Sequence, residues 1–366
     1  MIRHTMMVFI LGALMAVDSA AANEADDVAV ATIEKLGGKI TRVGVAGPII
    51  GVDLVGTKVT DAELKCLRKL KSLQKLYLGS TQISDAGLNE LQELKSLQTL
   101  GLGYSKVTDA GLKELRELKS LQTLDLRGTQ PTDTGLTELR GLINIEELFL
   151  NSTPVTDAGL KELRQLKSLK TLFLHGAKVT DAGMTELRSL TRLQNLYLAH
   201  TQVTDAGLKE LGKLSHLQTL DLADTQVTDI GLKELRELAS LRTLGLERSK
   251  TTNTGLKELG HLKNLQWLNL SSTKVTDAGL KELRPLKELR WLDLGNTLVT
   301  DSGMKELGEL KSLEMLILAF TAGTDAGLKG LRDLKSLQTL CLVGTNVTAA
   351  GVQELQSALP KTKIAR

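Results

Sequence analysis

Two sets of residues in this 366-residue chain have the types and spacing to do chemistry. The first is His175, His200 and Asp224, with His200 and Asp224 24 residues apart. Two imidazoles and a carboxylate form a donor set for a divalent metal. The second is aromatic: Tyr77, Tyr104, Phe149, Phe173, Tyr197, Trp267, Trp291 and Phe320. Within this set Tyr77, Phe149, Phe173 and Tyr197 are separated by multiples of 24, as are Trp267 and Trp291, and Tyr104 and Phe320. Tyr and Trp are typical anchors of protein interfaces, and adjacent Trp rings also suit sugar stacking. No HExxH, Walker loop, GxSxG or paired CxxC occurs in the chain. With no acid, base and nucleophile converging, the expectation is a binding protein rather than an enzyme, with no cofactor. A polar stretch of surface is the better reading of the His175–His200–Asp224 trio than a metal site.

The common spacing has a single cause. From Ile49 the chain repeats every 24 residues, thirteen times, the last unit starting at Leu337. A summary unit is LQTLDLxxTxVTDAGLKELRELKS. Positions 1, 4 and 6 are aliphatic, and the alternation of 4 and 6 predicts a short strand with one face buried. Positions 16, 19 and 22 are also apolar, as in Leu112, Leu115 and Leu118, which is one stripe of a short helix. Thr-Asp precedes that stripe (Thr108-Asp109), and the Asp is read as the N-cap. Position 9 is Thr in ten units, with Ser105, Ser249 and Ala177 in the others. A column of hydroxyls there is expected to bond the turns of neighbouring units. Position 15 is Gly in every unit but the first, which has Glu63. Gly costs about 1 kcal/mol inside a helix, so its recurrence predicts close backbone packing. Position 11 departs from its usual Val at Pro131, Thr251 and Gly323.

A unit this small cannot bury its apolar side alone, and stacking the units supplies a continuous core. Leu carries that core, because aromatics are only 2% of the chain. Strands stack at ~4.8 Å and helices are ~10 Å across. The expected fold is therefore an α/β solenoid, a curved horseshoe or arc with a parallel sheet on its concave face and short helices on the convex face. Strand positions 3, 5 and 7 then face away from the core, and position 8 lies on the rim. Phe149, Phe173 and Tyr197 form one run at position 5, and Trp267 and Trp291 a pair at position 3. Asp221, Asp224, Glu247 and Arg248 lie between the run and the pair. The candidate ligand-binding residues are Tyr77, Tyr104, Phe149, Phe173, Tyr197, Asp221, Asp224, Arg248, Trp267, Trp291 and Phe320. The Lys-Glu and Arg-Glu pairs of the helices read as a solvated surface.

The ends differ from the repeats. Arg3 and His4 precede an apolar stretch from Met6 to Val17, and Ala20 and Ala22 stand at cleavage-compatible positions. Residues 1–22 are expected to be a secretory signal peptide, cut after Ala22 or after Ala20. Residues 23–48 are expected to cap the first repeat, 49–360 to be the thirteen repeats, and 361–366 to add a capping strand. The net charge is +3, from 46 basic and 43 acidic residues, with no footprint for nucleic acid. Cys66 and Cys341 stand twelve repeats apart, too far for a disulfide within one chain.

The thirteenfold register of leucines resembles that of the leucine-rich-repeat superfamily, and the resemblance covers residues 49–358. The VTDAGLKEL segment is most similar to bacterial secreted repeats and to the helix-bearing repeats of ribonuclease-inhibitor-type and F-box proteins. The resemblance implies binding on the concave face and names no ligand. A secreted or periplasmic scaffold for a protein partner is the leading expectation. A glycan-binding protein of the cell envelope and a structural solenoid without a specific ligand are the alternatives, and no membrane span is expected in the mature chain.

Overall fold

The structure, a computed structural model, describes residues 27–45 and 47–366. The proposed signal peptide and the first residues of the capping segment lie outside them. Two compact units divide the chain, one ending at Pro154 and the other starting at Val155.

In the first unit a helix, α1 (residues 27–35), leads into β1 (Lys39–Arg42), which pairs antiparallel with β2 (Ile49–Asp53). From β2 onward each repeat contributes one strand: β3 (Lys75–Tyr77), β4 (Thr99–Gly101), β5 (Thr123–Asp125) and β6 (Glu147–Phe149). These pair in parallel with each residue facing its counterpart 24 residues on, as Leu76 faces Leu100. The second unit repeats the arrangement from β7 (Thr171–Phe173) to β15 (Lys363–Ala365), where Ile364 faces Leu340. In both units strands follow chain order and alternate with short helices, so the chain is an α/β solenoid. Among the described residues no helix is long and apolar enough to cross a membrane.

The core is the leucine pattern made solid. In the repeat starting at residue 97, Leu97, Leu100, Leu102, Val107, Leu112, Leu115 and Leu118 are all completely buried. Full burial of such a side chain is worth about 1.5–3 kcal/mol.

The polar positions work differently from the expectation. From the second repeat on, the N-cap is Thr, or Ser84 once, rather than Asp, and its hydroxyl caps each of these helices except the one after Thr276. Thr204 is extended, and its hydroxyl accepts from Ala206 N at 3.3 Å, opening α7 (Asp205–Leu211). The Asp that follows a capping Thr begins the helix and reaches the next repeat. Asp181 accepts from Thr204 N at 2.7 Å, Thr204 Oγ1 at 2.6 Å and Gly207 N at 3.0 Å. A Cβ on Gly207 would stand 2.6 Å from that carboxylate, which is why position 15 is Gly. Links of the same kind recur in both units, for example Asp85 to Thr108, Asp229 to Thr252 and Asp301 to Thr324. Asn253 substitutes once, donating Nδ2 to Thr276 Oγ1 at 2.8 Å.

The first and last repeats lack the partner, and their residues differ accordingly. The first repeat has no preceding Asp, so Glu63 replaces Gly and binds Thr60 N and Oγ1 at 2.9 and 2.6 Å. In the unit starting at Leu337, Ala349 stands where the other units carry Asp or, once, Asn253.

The position-9 hydroxyls also bond differently. Each of the ten Thr donates to the carbonyl three residues earlier in its own repeat, as Thr81 Oγ1 to Leu78 O at 2.6 Å. The turn folds that carbonyl to within 2.5–2.8 Å of the hydroxyl. On the helical side, charges pair between repeats: Arg116 with Glu138, Arg188 with Glu210 at 3.3 Å, Arg284 with Glu306 at 2.5 Å. Exposed pairs of this kind contribute about 0–1 kcal/mol each.

Candidate functional site

The strand face away from the core carries the aromatic set. In the second unit Phe173 and Tyr197, paired between β7 and β8 (Asn195–Tyr197), stack with centroids 4.1 Å apart and planes 4° apart. Trp267 and Trp291, paired between β11 (Trp267–Asn269) and β12 (Trp291–Asp293), stack at 4.2 Å and 11°. Trp291 Nε1 lies 2.8 Å from Met315 Sδ on β13 (Met315–Ile317). Such stacked pairs add about 0.5–1.5 kcal/mol beyond the area they bury.

The acidic residues between the two stacks are partnered locally. Asp221 accepts from Ala223 N at 3.1 Å. Its carboxylate, after burial itself, helps hold the Tyr197 phenol above its usual pKa. Asp224 meets His200 Nδ1 at 2.8 Å, and His175 approaches His200 edge-on at 4.7 Å. Among the described residues the three do not form a metal-holding group. Arg248 turns to Glu247, 3.7 Å away. Burial raises the pKa of Asp293, against a hydrogen bond from Gly295 N–H and with the Glu247 charge adding to the rise.

Position 8 is more than a rim. All thirteen residues there have positive φ, and nine of them are not glycine, with φ between 52° and 59°. A bulky residue in this left-handed region costs about 1–2 kcal/mol. Yet Tyr104 and Phe320 sit there, 62% and 65% exposed. Each ring lies against the position-8 glycine of the next repeat, Gly128 and Gly344 respectively. A side chain on either glycine would collide with the ring.

In the first unit Tyr77 leans toward Gly101, with its ring 3.2 Å from where a Cβ would stand. Phe149 carries the guanidinium of Arg127 over its ring at 4.9 Å. Arg127 also binds Asp125, with Nε 2.9 Å from both carboxylate oxygens and Nη2 2.8 Å from Oδ2. That hydrogen bonding raises the guanidinium pKa. Tyr77, Gly101, Asp125, Arg127, Glu147 and Phe149 help line a hollow of about 310 Å³.

Sequence reasoning placed the aromatics on this face but missed Arg127, Glu147 and Met315. It also missed the hollow, whose one sequence signal was Gly101 at an outward strand position.

Two family models match. Residues 198–364 match the model described as leucine-rich repeat region, and residues 69–91 match a leucine-rich repeat. The chain is a leucine-rich-repeat protein. This leucine-rich-repeat chain is similar in structure to an internalin of Listeria monocytogenes, with a TM-score of 0.70 and 24% identity over 93% of this chain and 94% of that one. It is also similar to a leucine-rich-repeat protein of Leptospira interrogans, with a TM-score of 0.62 and 28% identity over 82% and 80% of the two chains. No curated protein matches it.

Proposed function

We propose that the chain is a secreted scaffold that binds a protein partner through the open strand face of its repeats. One observation carries the reading. All eight aromatic residues of the described chain lie on that face or on the left-handed turn beside it, and four of them form two stacks. An exposed apolar patch set among polar groups marks an interaction surface. Secretion rests on the residue pattern from Arg3 to Ala22.

A protein surface fits better than a sugar. Stacking on a sugar needs an open ring face, and Trp267 and Trp291 each give up one of their two faces to the other, which halves the ring area open to a sugar.

The test is capture from the producing cells' envelope and medium. The baits are the native chain from Asn23, a variant with Phe173, Tyr197, Trp267 and Trp291 changed to Ala, and a helical-side variant with Arg188 and Arg284 changed to Ala. A protein held by the native and helical-side baits and lost by the four-alanine bait supports the reading. Release by a free oligosaccharide, equal capture by all three, or no capture by any overturns it.

A further inference from the structure

The first unit carries a hollow that the aromatic stacks of the second do not explain. In its outward columns one repeat has Gly101 and Gly103 where the next repeat has Asp125 and Arg127. Tyr77 leans over Gly101 and Arg127 over Gly103, and between these two side chains and Glu147 lies a space of about 310 Å³, at the low end for a small-molecule site. That size suits one inserted side chain.

The chemistry of the space is visible in the half that the protein fills itself. Arg127 rests its guanidinium on the Phe149 ring and binds the Asp125 carboxylate through Nε and Nη2. An aromatic face together with a carboxylate is what a guanidinium or ammonium group selects. The other half offers the same two elements. Tyr77 walls it and is 37% exposed. Glu147 receives its hydrogen bond from the Thr123 hydroxyl at 3.2 Å, a neutral partner. Asp125 and Glu147 bring two negative charges to the lining, and Arg127 offsets one. An anionic guest is repelled, and an apolar one strips water from Glu147 with no compensating bond.

We infer that this hollow receives one basic side chain, arginine or lysine, from the protein partner, its stem along Tyr77 over Gly101 and its charge against Glu147. The inference rests on the reading that the open strand face binds a protein. It gives the first unit a specificity pocket of its own.

The test is a nuclear magnetic resonance titration of the whole chain with N-acetylarginine methylamide, following the amides of Thr99, Gly101 and Thr123, which line the hollow. Saturable shifts at these amides are expected, with none from N-acetylglutamate or N-acetylglucosamine. Glu147→Gln, a change at an exposed side chain, should weaken the arginine probe about tenfold, and Gly101→Leu should abolish the shifts by filling the space. No saturable shift, an equal response to the sugar, or unchanged affinity in Glu147→Gln overturns the inference. Because the capture experiment reads the second unit's aromatics, the two failures are distinct. Capture without arginine binding removes only the pocket. Arginine binding without capture overturns the scaffold reading and, with it, a protein partner as the source of the basic side chain, while leaving a cation-binding hollow.

Discussion

Asp181 holds Thr204 of the following repeat at two points, backbone N–H and hydroxyl, at 2.7 and 2.6 Å. The same Thr204 caps its own helix. One residue pair thus joins local structure to the stacking of repeats, and Gly207 leaves the room for it.

Asp181→Ala should therefore destabilise the protein by about 1–3 kcal/mol, the cost of leaving buried donors unmade. Gly207→Ala should cost a similar amount through the collision of its Cβ with the Asp181 carboxylate. Ala349→Asp should shift stability by less than about 0.5 kcal/mol, since residues 359–366 form a turn and a strand and offer no Thr-capped helix to receive the carboxylate. Denaturant unfolding of the three variants checks this set.

The pH dependence follows from the last link of this kind. Asp325 has its pKa lowered, first by the Thr348 hydroxyl and then by the Thr348 N–H. A carboxylate depressed by folding stabilises the folded state above its unfolded value of 3.8, and that contribution disappears as pH falls through the lowered folded value. Asp325→Asn should therefore lower the melting temperature at pH 7 and leave it nearly unchanged at pH 2. Equal losses at both pH values would show that the charge plays no part.

These links show where the sequence was legible. The 24-residue period, the strand and helix of each repeat and the leucine core all follow from apolar spacing, because burial repeats with the geometry of the element. The partners of the polar residues do not follow from spacing within a repeat. Asp181 faces Thr204, 23 residues on, so its role depends on the stacking distance between repeats. The contact that demands glycine at position 15 is hidden for the same reason, since the carboxylate that excludes a Cβ belongs to another repeat. Left-handed φ at position 8 was hidden because Tyr104, Arg248 and Phe320 stand where glycine is favoured. The Gly101 hollow is defined by side chains from neighbouring strands.

The strained turn gives a prediction in which opposing effects nearly cancel. Tyr104→Gly relieves a left-handed conformation but loses the ring packed on Gly128 and adds backbone entropy to the unfolded chain. Stability should change by less than about 1 kcal/mol, while partner capture falls. A loss of several kcal/mol in thermal unfolding would make Tyr104 a structural residue instead.

The tryptophan pair can be read without a partner. Trp267 and Trp291 are the only two tryptophans of the chain, and they stack at 4.2 Å. Their circular dichroism should show an exciton couplet that disappears in both Trp267→Phe and Trp291→Phe. A double-mutant cycle with alanine should return a coupling of about 0.5–1.5 kcal/mol. A spectrum equal to the sum of two isolated indoles would contradict the stack.

The central claim, that a partner sits on the open strand face, is tested most directly by site-specific photo-crosslinking in the producing cells. A benzophenone amino acid would replace Tyr197 on the strand face in one variant and Lys209 on the helix α7 in another. The account predicts a protein adduct from position 197 and none from position 209. Adducts from position 209 alone, equal adducts from both, or none from either would contradict it.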